Sequence, residues 1–398
     1  MTSAPRPLEG LKVVEFSHMV MGPTCGLILA DLGADVVKVE PAPDGDKTRR
    51  LPGSGAGYFG AYNRNKRSIS VDLKSDEGLA FATDLVKASD VLLENFGVGV
   101  IDRLGLGYAA MQAVNPRLVY CALKGFLTGP YEQRAALDEV VQMMGGLAYM
   151  TGPEGQPLRA GASVNDVMGG LFGVIAIQAA LLERKRTGKG TFVRSGLFEN
   201  NMFLVAQHMV QYRQTGVPAK PMPERVSAWA VYDVFETAEG EKIFIGVVSD
   251  KQWVQFCEAF GLTGLLADKD LETNAQRVAR RETFLPRVRE MFRQQSLSQA
   301  IEICDRVSLP FAPIQRPDQL FDDPHVNHDG ATVEVTLSNG VRAQVPTLPI
   351  EYAGARLDLY RDLPVIGEHN EAVARELGYS DEALARLKPS LGSDDSSQ

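Results

Sequence analysis

Two short apolar runs flanking a helix-length stretch open the chain and restrict what it can become. Residues 11–16 read as a strand, a helix begins at Pro23 and runs to Leu32, Gly33 closes it, and residues 34–39 form a second apolar strand. Strands joined in this way lie parallel, because a parallel pair needs a long crossover where a hairpin needs only a tight turn. The crossover places the loop after the first strand, Ser17-His18-Met19-Val20-Met21-Gly22, at the carboxyl edge of the sheet, where ligands of open α/β sheets sit. Strand signals at residues 68–72, 91–94 and 118–123, with a helix at 77–88, continue the alternation and predict an α/β fold.

Further on the pattern turns helical over residues 138–149 and 164–182. The tract Arg184-Lys185-Arg186-Thr187-Gly188-Lys189-Gly190 is expected to end the second helix as a solvated turn. A strand at 191–195 and a helix at 198–215 complete the block, and Pro218, Pro221 and Pro223 mark residues 216–224 as a linker. Residues 228–236 and 242–247 flank Glu239-Gly240, a hairpin signal, and helices follow at 251–260, 281–294 and 297–304. Another hairpin is expected around Ser338-Asn339-Gly340. The expected organisation is a large α/β domain begun by residues 1–215, a smaller α+β domain at 225–318, and a segment 319–398 that completes the large domain. The Ser- and Asp-rich tail after Leu391 reads as disordered.

At 398 residues and 44% hydrophobic content the chain can bury a full core, and a formal charge of −9 leaves no basic field for nucleic acid or an anionic membrane. Cys25, Cys121, Cys257 and Cys304 are scattered, with no CxxC and no histidine beside them, which predicts no metal site and a reducing compartment. The first eight residues carry no apolar signal core, and the longest apolar runs contain Gly and Gln and are expected to stop short of a membrane span. The expected location is the cytoplasm.

Asp166 is the leading candidate for chemistry. It is a lone carboxylate between small residues and the Gly169-Gly170 pair, just before the apolar run 171–182. A carboxylate buried there must be paired, protonated or used as a reagent, since an unpaired buried charge costs several kcal/mol or more. It also stands where it could cap the following helix. Gly53-Ser54-Gly55-Ala56-Gly57 has the look of a nucleophile elbow but lacks the strand before and the helix after that expose such a serine. Glu40 ends the second strand where dinucleotide folds hold ribose, yet the first loop has no GxGxxG. His18 and His208 are single histidines, more often structural than basic catalysts.

A set of segments in order along nearly the whole chain resembles the class III CoA-transferases, the family of formyl-CoA transferase, carnitine CoA-transferase and the succinyl-CoA-dependent dicarboxylate transferases. They include Gly10-Leu11-Lys12-Val13-Val14-Glu15-Phe16, Leu32-Gly33-Ala34-Asp35-Val36-Val37-Lys38-Val39-Glu40 and Asn63-Arg64-Asn65-Lys66-Arg67-Ser68. Glu94-Asn95-Phe96, Arg103-Leu104-Gly105, Asn115-Pro116-Arg117-Leu118, Thr187-Gly188-Lys189-Gly190 and Ile366-Gly367-Glu368-His369 extend them. The resemblance implies a Rossmann-like parallel-sheet large domain with a smaller α+β domain, in a homodimer of two interlocked chains. It implies that CoA moves from an acyl-CoA thioester to a carboxylic acid, with coenzyme A a substrate and no tightly bound cofactor.

By the same resemblance the nucleophile is Asp166, acting through an aspartyl anhydride and an aspartyl-CoA thioester. The CoA contacts fall on Val20, Met21, Val71, Asp72, Leu73, Lys74, Asn95, Phe96, Gly97, Arg103 and Asp138; Lys74 and Arg103 supply cations suited to phosphate. The chain departs from the formyl-CoA transferases, which carry an arginine where Pro41 stands and a lysine near Ala135, and residues 221–232 lack their glycine-rich loop. Arg159 and Arg225 are candidates for a second substrate carboxylate. Two other readings are an α-methylacyl-CoA racemase, whose basic histidine would stand at Leu137, and a non-catalytic acyl-CoA binding protein.

Overall fold

In a computed structural model the described residues are 6–225, 227–328 and 330–391; the tail expected to be disordered lies outside them. The chain divides into two compact units, residues 1–223 with 324–398 and residues 224–323. The first holds a six-stranded sheet built from β1 (Lys12–Phe16), β2 (Asp35–Pro41), β3 (Arg67–Val71), β4 (Val91–Glu94), β5 (Val119–Lys124) and β6 (Phe192–Gly196). Every pairing is parallel and the order is β3-β2-β1-β4-β5-β6. The order reverses between β1 and β4, so the loops leaving those two strands diverge and leave a crevice at the carboxyl edge.

Side chains alternate across the sheet, as the period of two requires. Val13, Val36, Leu93, Val119 and Cys121 face one layer, which contains helices α1 (Met21–Asp31) and α8 (Val164–Thr187). Val14, Phe16, Val37, Leu92 and Tyr120 face the other, formed with α3 (Asp76–Lys87) and by Val373, Leu384 and Leu387 from the helices at Asn370–Glu376 and Asp381–Leu387. Between α1 and α3 lies the short α2 (Tyr58–Tyr62), and α4 (Val100–Arg103) and α5 (Tyr108–Val114) follow β4. The second unit pairs Val231–Glu236, Lys242–Val247 and Phe311–Pro313 in an antiparallel sheet, around a core that includes Phe235, Ile245, Trp253, Phe256 and Phe292. The strands Thr332–Thr336 and Arg342–Pro346 form the hairpin expected around Asn339-Gly340.

Three expectations need correction. The helical stretch 138–149 is two helices, α6 (Asp138–Met144) and α7 (Leu147–Thr151), because Gly146 takes the left-handed conformation at φ 87° that stops the first from running on. The basic tract does not break its helix: α8 runs from Val164 to Thr187 and ends at Gly188, φ 73°, so Arg184, Lys185 and Arg186 form its last turn, where cations suit the carbonyl end. Arg184 is also held there by Asp90, at 2.9 Å. At 24 residues α8 is, by length and composition, long and apolar enough to cross a membrane, contrary to the expectation that no run reaches that length. Here one face of it packs into the core, burying Gly169, Gly170, Gly173, Val174, Ile177 and Ala180, while Leu171, Ile175 and Leu182 are exposed. After β6 comes α9 (Leu197–Thr215).

Candidate active site

The loop leaving β1 is held from two sides. His18 N–H donates to Asn95 Oδ1 at 3.0 Å, and Asn95 Nδ2 donates back to the His18 carbonyl at 2.8 Å. Gly22 is obligatory beneath this clamp, since a Cβ there would lie 2.4 Å from Ser17 Cβ and 2.9 Å from Asn95 Cγ. The His18 ring stacks on Phe96, centroids 5.9 Å apart, and burial holds the imidazole below its ordinary pKa. Phe96 is fixed in turn: its N–H donates to Glu94 at 2.9 Å and its carbonyl accepts from Lys124 Nζ at 2.8 Å, while Lys124 and Glu94 pair at 2.6 Å.

Under the loop lies a dry charge network. Lys66 Nζ pairs with Glu15 at 2.9 Å and donates to the Pro23 carbonyl at 2.9 Å; Lys38 Nζ pairs with Asp46 at 3.0 Å and donates to the Ser17 carbonyl at 2.8 Å. Burial drives Lys66 down to about 8 although Glu15 opposes it, whereas Asp46 and Glu15 outweigh burial at Lys38 and hold it above the ordinary lysine value. Two acids and two bases balance, and the carbonyls flanking the loop complete their bonds. Paired this way the charges fix geometry more than they stabilise the fold.

Asp166 stands in the first turn of α8, and the glycines after it let that helix approach α1. A Cβ on Gly170 would come within 2.9 Å of the Met21 carbonyl and 3.0 Å of the Cys25 nitrogen, so only glycine permits this contact. A Cβ on Gly169 would meet the end of the Met21 side chain at 2.3 Å. The contact sets Asp166 beside the β1 loop. Ser163, the residue before α8, makes no side-chain cap; the cap comes from α6, where Asp138 Oδ2 accepts the N–H of Asn165 at 2.8 Å and of Asp166 at 3.1 Å. Gln142 Nε2 donates to the other Asp138 oxygen, and Gln142 Oε1 accepts the Ala160 N–H at 2.8 Å.

The Asp166 carboxylate accepts no hydrogen bond among the described residues and is half-buried. Burial, reinforced by the Asp138 charge and opposed by Arg159, pushes it up to about 7. Its field reaches Tyr62 of α2, whose phenol is raised by burial and then by Asp166. A carboxylate with enhanced proton affinity, no internal partner and a fixed backbone is equipped to attack an electrophile.

Of the residues singled out from sequence, Asn95 and Phe96 meet the β1 loop that carries Val20 and Met21, while Asp138 and Asp166 meet at the start of α8, whose Gly169 lies against Met21. Val20 and Met21 are 1% and 4% exposed, so what they offer the crevice is backbone. Val71, Asp72, Leu73 and Lys74 lie at the end of the outer strand β3; Leu73 and Phe96 pack on the core that contains Val71 and Ile101, which puts this segment and α4 on one face of the sheet. Gly97, Lys74 and Arg103 are exposed, and neither cation has an ion pair among the described residues. Glu40 is closed off by Arg49, at 2.6 and 2.8 Å, and Ser68, at 2.6 Å. His208 lies on α9 beside Gln207 and Gln211. Gly53–Gly55 form a short 3-10 turn with no strand before it, although, contrary to expectation, a helix does follow, the short α2 from Tyr58. Sequence reading missed the charge network, although Glu15 and Lys38 inside otherwise apolar strands were its signal, and it missed Gln142, which carries none.

The family model described as CoA-transferase family III matches residues 8–370. The chain is 34% identical to a succinate–glutarate CoA-transferase of Agrobacterium fabrum over 95% of this chain and 98% of the relative. It is 31% identical to a human succinyl-CoA:glutarate CoA-transferase over 96% and 89%. A solved CAIB/BAIF family protein from Brucella suis superposes with a TM-score of 0.83 at 35% identity, covering 94% of this chain and all of that one, 100%.

Proposed function

The chain belongs to CoA-transferase family III, and from that membership we propose that Asp166 is the nucleophile that carries CoA between a thioester and a carboxylic acid. The observation that supports this reading is the half-buried Asp166 carboxylate, without a hydrogen-bond partner among the described residues, in the first turn of the helix that packs on α1 just after the β1 loop.

The Asp166 carboxylate attacks the donor acyl carbonyl; the C–S bond breaks, leaving an aspartyl-acyl anhydride and CoA thiolate. The thiolate attacks the aspartyl carbonyl, forming the aspartyl-CoA thioester and releasing the donor acid as its carboxylate. The acceptor carboxylate then attacks the aspartyl thioester and expels CoA thiolate, which attacks the acceptor's acyl carbonyl to give the new acyl-CoA and free Asp166. No proton is consumed in the cycle, so the enzyme needs Asp166 ionised and oxyanion donors in place. In the loop from Ser17 to Met21 the His18 N–H is taken by Asn95, so the backbone N–H groups after it, at the start of α1, are the ones to serve the oxyanion, and Lys74 and Arg103 serve the phosphates of CoA.

A racemase needs a base before Asp138, and Leu137 is not one. A passive acyl-CoA binder has no use for a carboxylate held near neutrality. The apolar side chains exposed on α8 and α9, Leu171, Ile175, Leu182, Phe203, Met209 and Val210, support an interface with a second copy; the interlocked form of that homodimer rests on the family resemblance.

The test is intact-protein mass spectrometry after mixing with acyl-CoA and rapid acid quench. The expected result is a CoA adduct on Asp166 in the wild type and, in Asp166→Ala, no adduct and a transfer rate lower by orders of magnitude with the fold unchanged. Wild-type turnover by the alanine variant would move the chemistry to another group.

A further inference from the structure

We propose that the Tyr62 hydroxyl is a catalytic hydrogen-bond donor: it meets the carbonyl oxygen that turns negative when Asp166 attacks the acyl group, and the aspartyl oxygen when thiolate attacks Asp166. The proposal rests on Asp166 being the nucleophile. Tyr62 ends α2, and the segment after it is bolted to α1 at both ends. Asn63 Oδ1 accepts from Lys66 Nζ at 3.1 Å, and the same Nζ donates to the Pro23 carbonyl in the first turn of α1. Arg64 Nη2 and Asn65 Nδ2 hold the two oxygens of Asp31, the last residue of α1, at 2.5 and 2.9 Å. Asn63, Arg64, Asn65 and Lys66 are all buried, so the backbone that carries Tyr62 cannot drift from α1. Gly170, four residues after Asp166 and on the same ridge of α8, lies against Met21, Thr24 and Cys25 of that first turn. Both side chains thus leave backbone that is held on the start of α1.

The two groups interact without bonding. The Asp166 charge acts on the Tyr62 phenol, yet neither side chain has a hydrogen-bond partner among the described residues. A nucleophile and a donor that stand near each other, out of bonding reach, leave a place where one carbonyl is attacked by the first and bonded by the second. The donor must also keep its proton beside a carboxylate that attacks as an anion. Burial and the Asp166 charge hold the phenol above the ordinary tyrosine value, so it stays protonated over the whole range in which Asp166 ionises. No proton changes hands: the O–H donates to the oxyanion while the C–S bond breaks or forms, and Tyr62 is unchanged after the cycle. The backbone N–H groups at the start of α1 supply the other donor of the pair. A residue that only packed there would act through its ring and not through its hydroxyl.

The experiment compares wild type, Tyr62→Phe and Tyr62→Leu by rapid acid quench after mixing with succinyl-CoA or acetyl-CoA, following the CoA adduct by intact mass. In Tyr62→Phe the saturating rate of adduct formation should fall by about 10²- to 10³-fold, the effect of removing one oxyanion donor, while the half-saturating concentration stays within about twofold. Tyr62→Leu, which loses the ring as well, should be slower than Tyr62→Phe by no more than about threefold. Across pH, Tyr62→Phe should keep the wild-type midpoint and lose only the height of the plateau. A wild-type rate in Tyr62→Phe overturns the proposal, whether or not Tyr62→Leu is slow. So does a raised half-saturation at unchanged rate, the mark of a binding contact, and so does a midpoint moved upward under an intact plateau, the mark of a bond to the Asp166 carboxylate itself. A wild type that forms no adduct with either donor overturns the Asp166 reading and this proposal with it, whereas adduct in the wild type beside an unimpaired Tyr62→Phe leaves the Asp166 reading standing.

Discussion

Asp166 brings function and stability into opposition. Its carboxyl is raised to about 7 in the fold against about 3.9 in an unfolded chain, so between those values the folded state binds a proton that the unfolded state does not. Stability therefore falls as pH rises from about 4 to about 7, and the full cost persists above that range. Asp166→Asn should be inactive yet more stable by on the order of a few kcal/mol at pH 8, with the gain fading towards pH 4, as chemical denaturation across that range will show. In the proposed mechanism the ionised form attacks, so kcat/KM should rise with pH through an apparent pKa near 7; a flat profile from pH 5.5 to 8.5 would contradict Asp166 as the nucleophile. Asp166 was legible in sequence as an isolated carboxylate among small residues. Its cap was not, because Asp138 lies on another helix and nothing in its own segment shows which N–H groups it will meet.

The contact between α1 and α8 converts a glycine pair into a site. Gly170→Ala puts a methyl group 2.9 Å from the Met21 carbonyl and 3.0 Å from the Cys25 nitrogen, atoms of backbone that a side-chain rotation cannot clear. Overpacking of this kind costs about 1–3 kcal/mol, and it should also move Asp166 relative to the β1 loop. The expected outcome is a fall in kcat of tenfold or more, about 1.4 kcal/mol of barrier, accompanied by a lower melting temperature. Gly261→Ala is a control for backbone strain alone, since its φ of 68° is strained while nothing lies within 4 Å of the added carbon. Most elements were legible because their apolar residues follow the periods of strand or helix. The failures have local causes. Residues 138–149 kept a helical pattern through Gly145-Gly146, where backbone conformation, not hydrophobicity, makes the break. The end of α8 was placed too early because Arg184 to Arg186 read as a solvated turn, although long basic side chains serve equally well on the last turn of a helix.

On the scale of the whole molecule, the first unit leaves Leu182, Phe203, Val210 and Ile175 between 59% and 68% exposed, on two long helices. In the proposed interlocked homodimer such faces would be buried between two copies threaded through one another, and separation would require unfolding. The dimer should then persist at nanomolar concentration and show no folded monomer on dilution, which sedimentation or mass photometry will establish. A folded, active monomer would exclude the interlocked arrangement. The first unit also has a consequence for how the chain is made. Its opening residues find their charge partners early, since Glu15, Lys38, Asp46 and Lys66 all emerge within the first sixth of the chain. The outer layer does not: Phe81, Leu85 and Val86 await Val373, Leu384 and Leu387, and the Asp72 N–H awaits the Ser390 carbonyl. During synthesis α3 can pack on that face of the sheet, but the layer stays incomplete while residues 224–323 are translated, so a chain stalled in the smaller unit is expected to present an apolar surface of the kind that chaperones and proteases recognise.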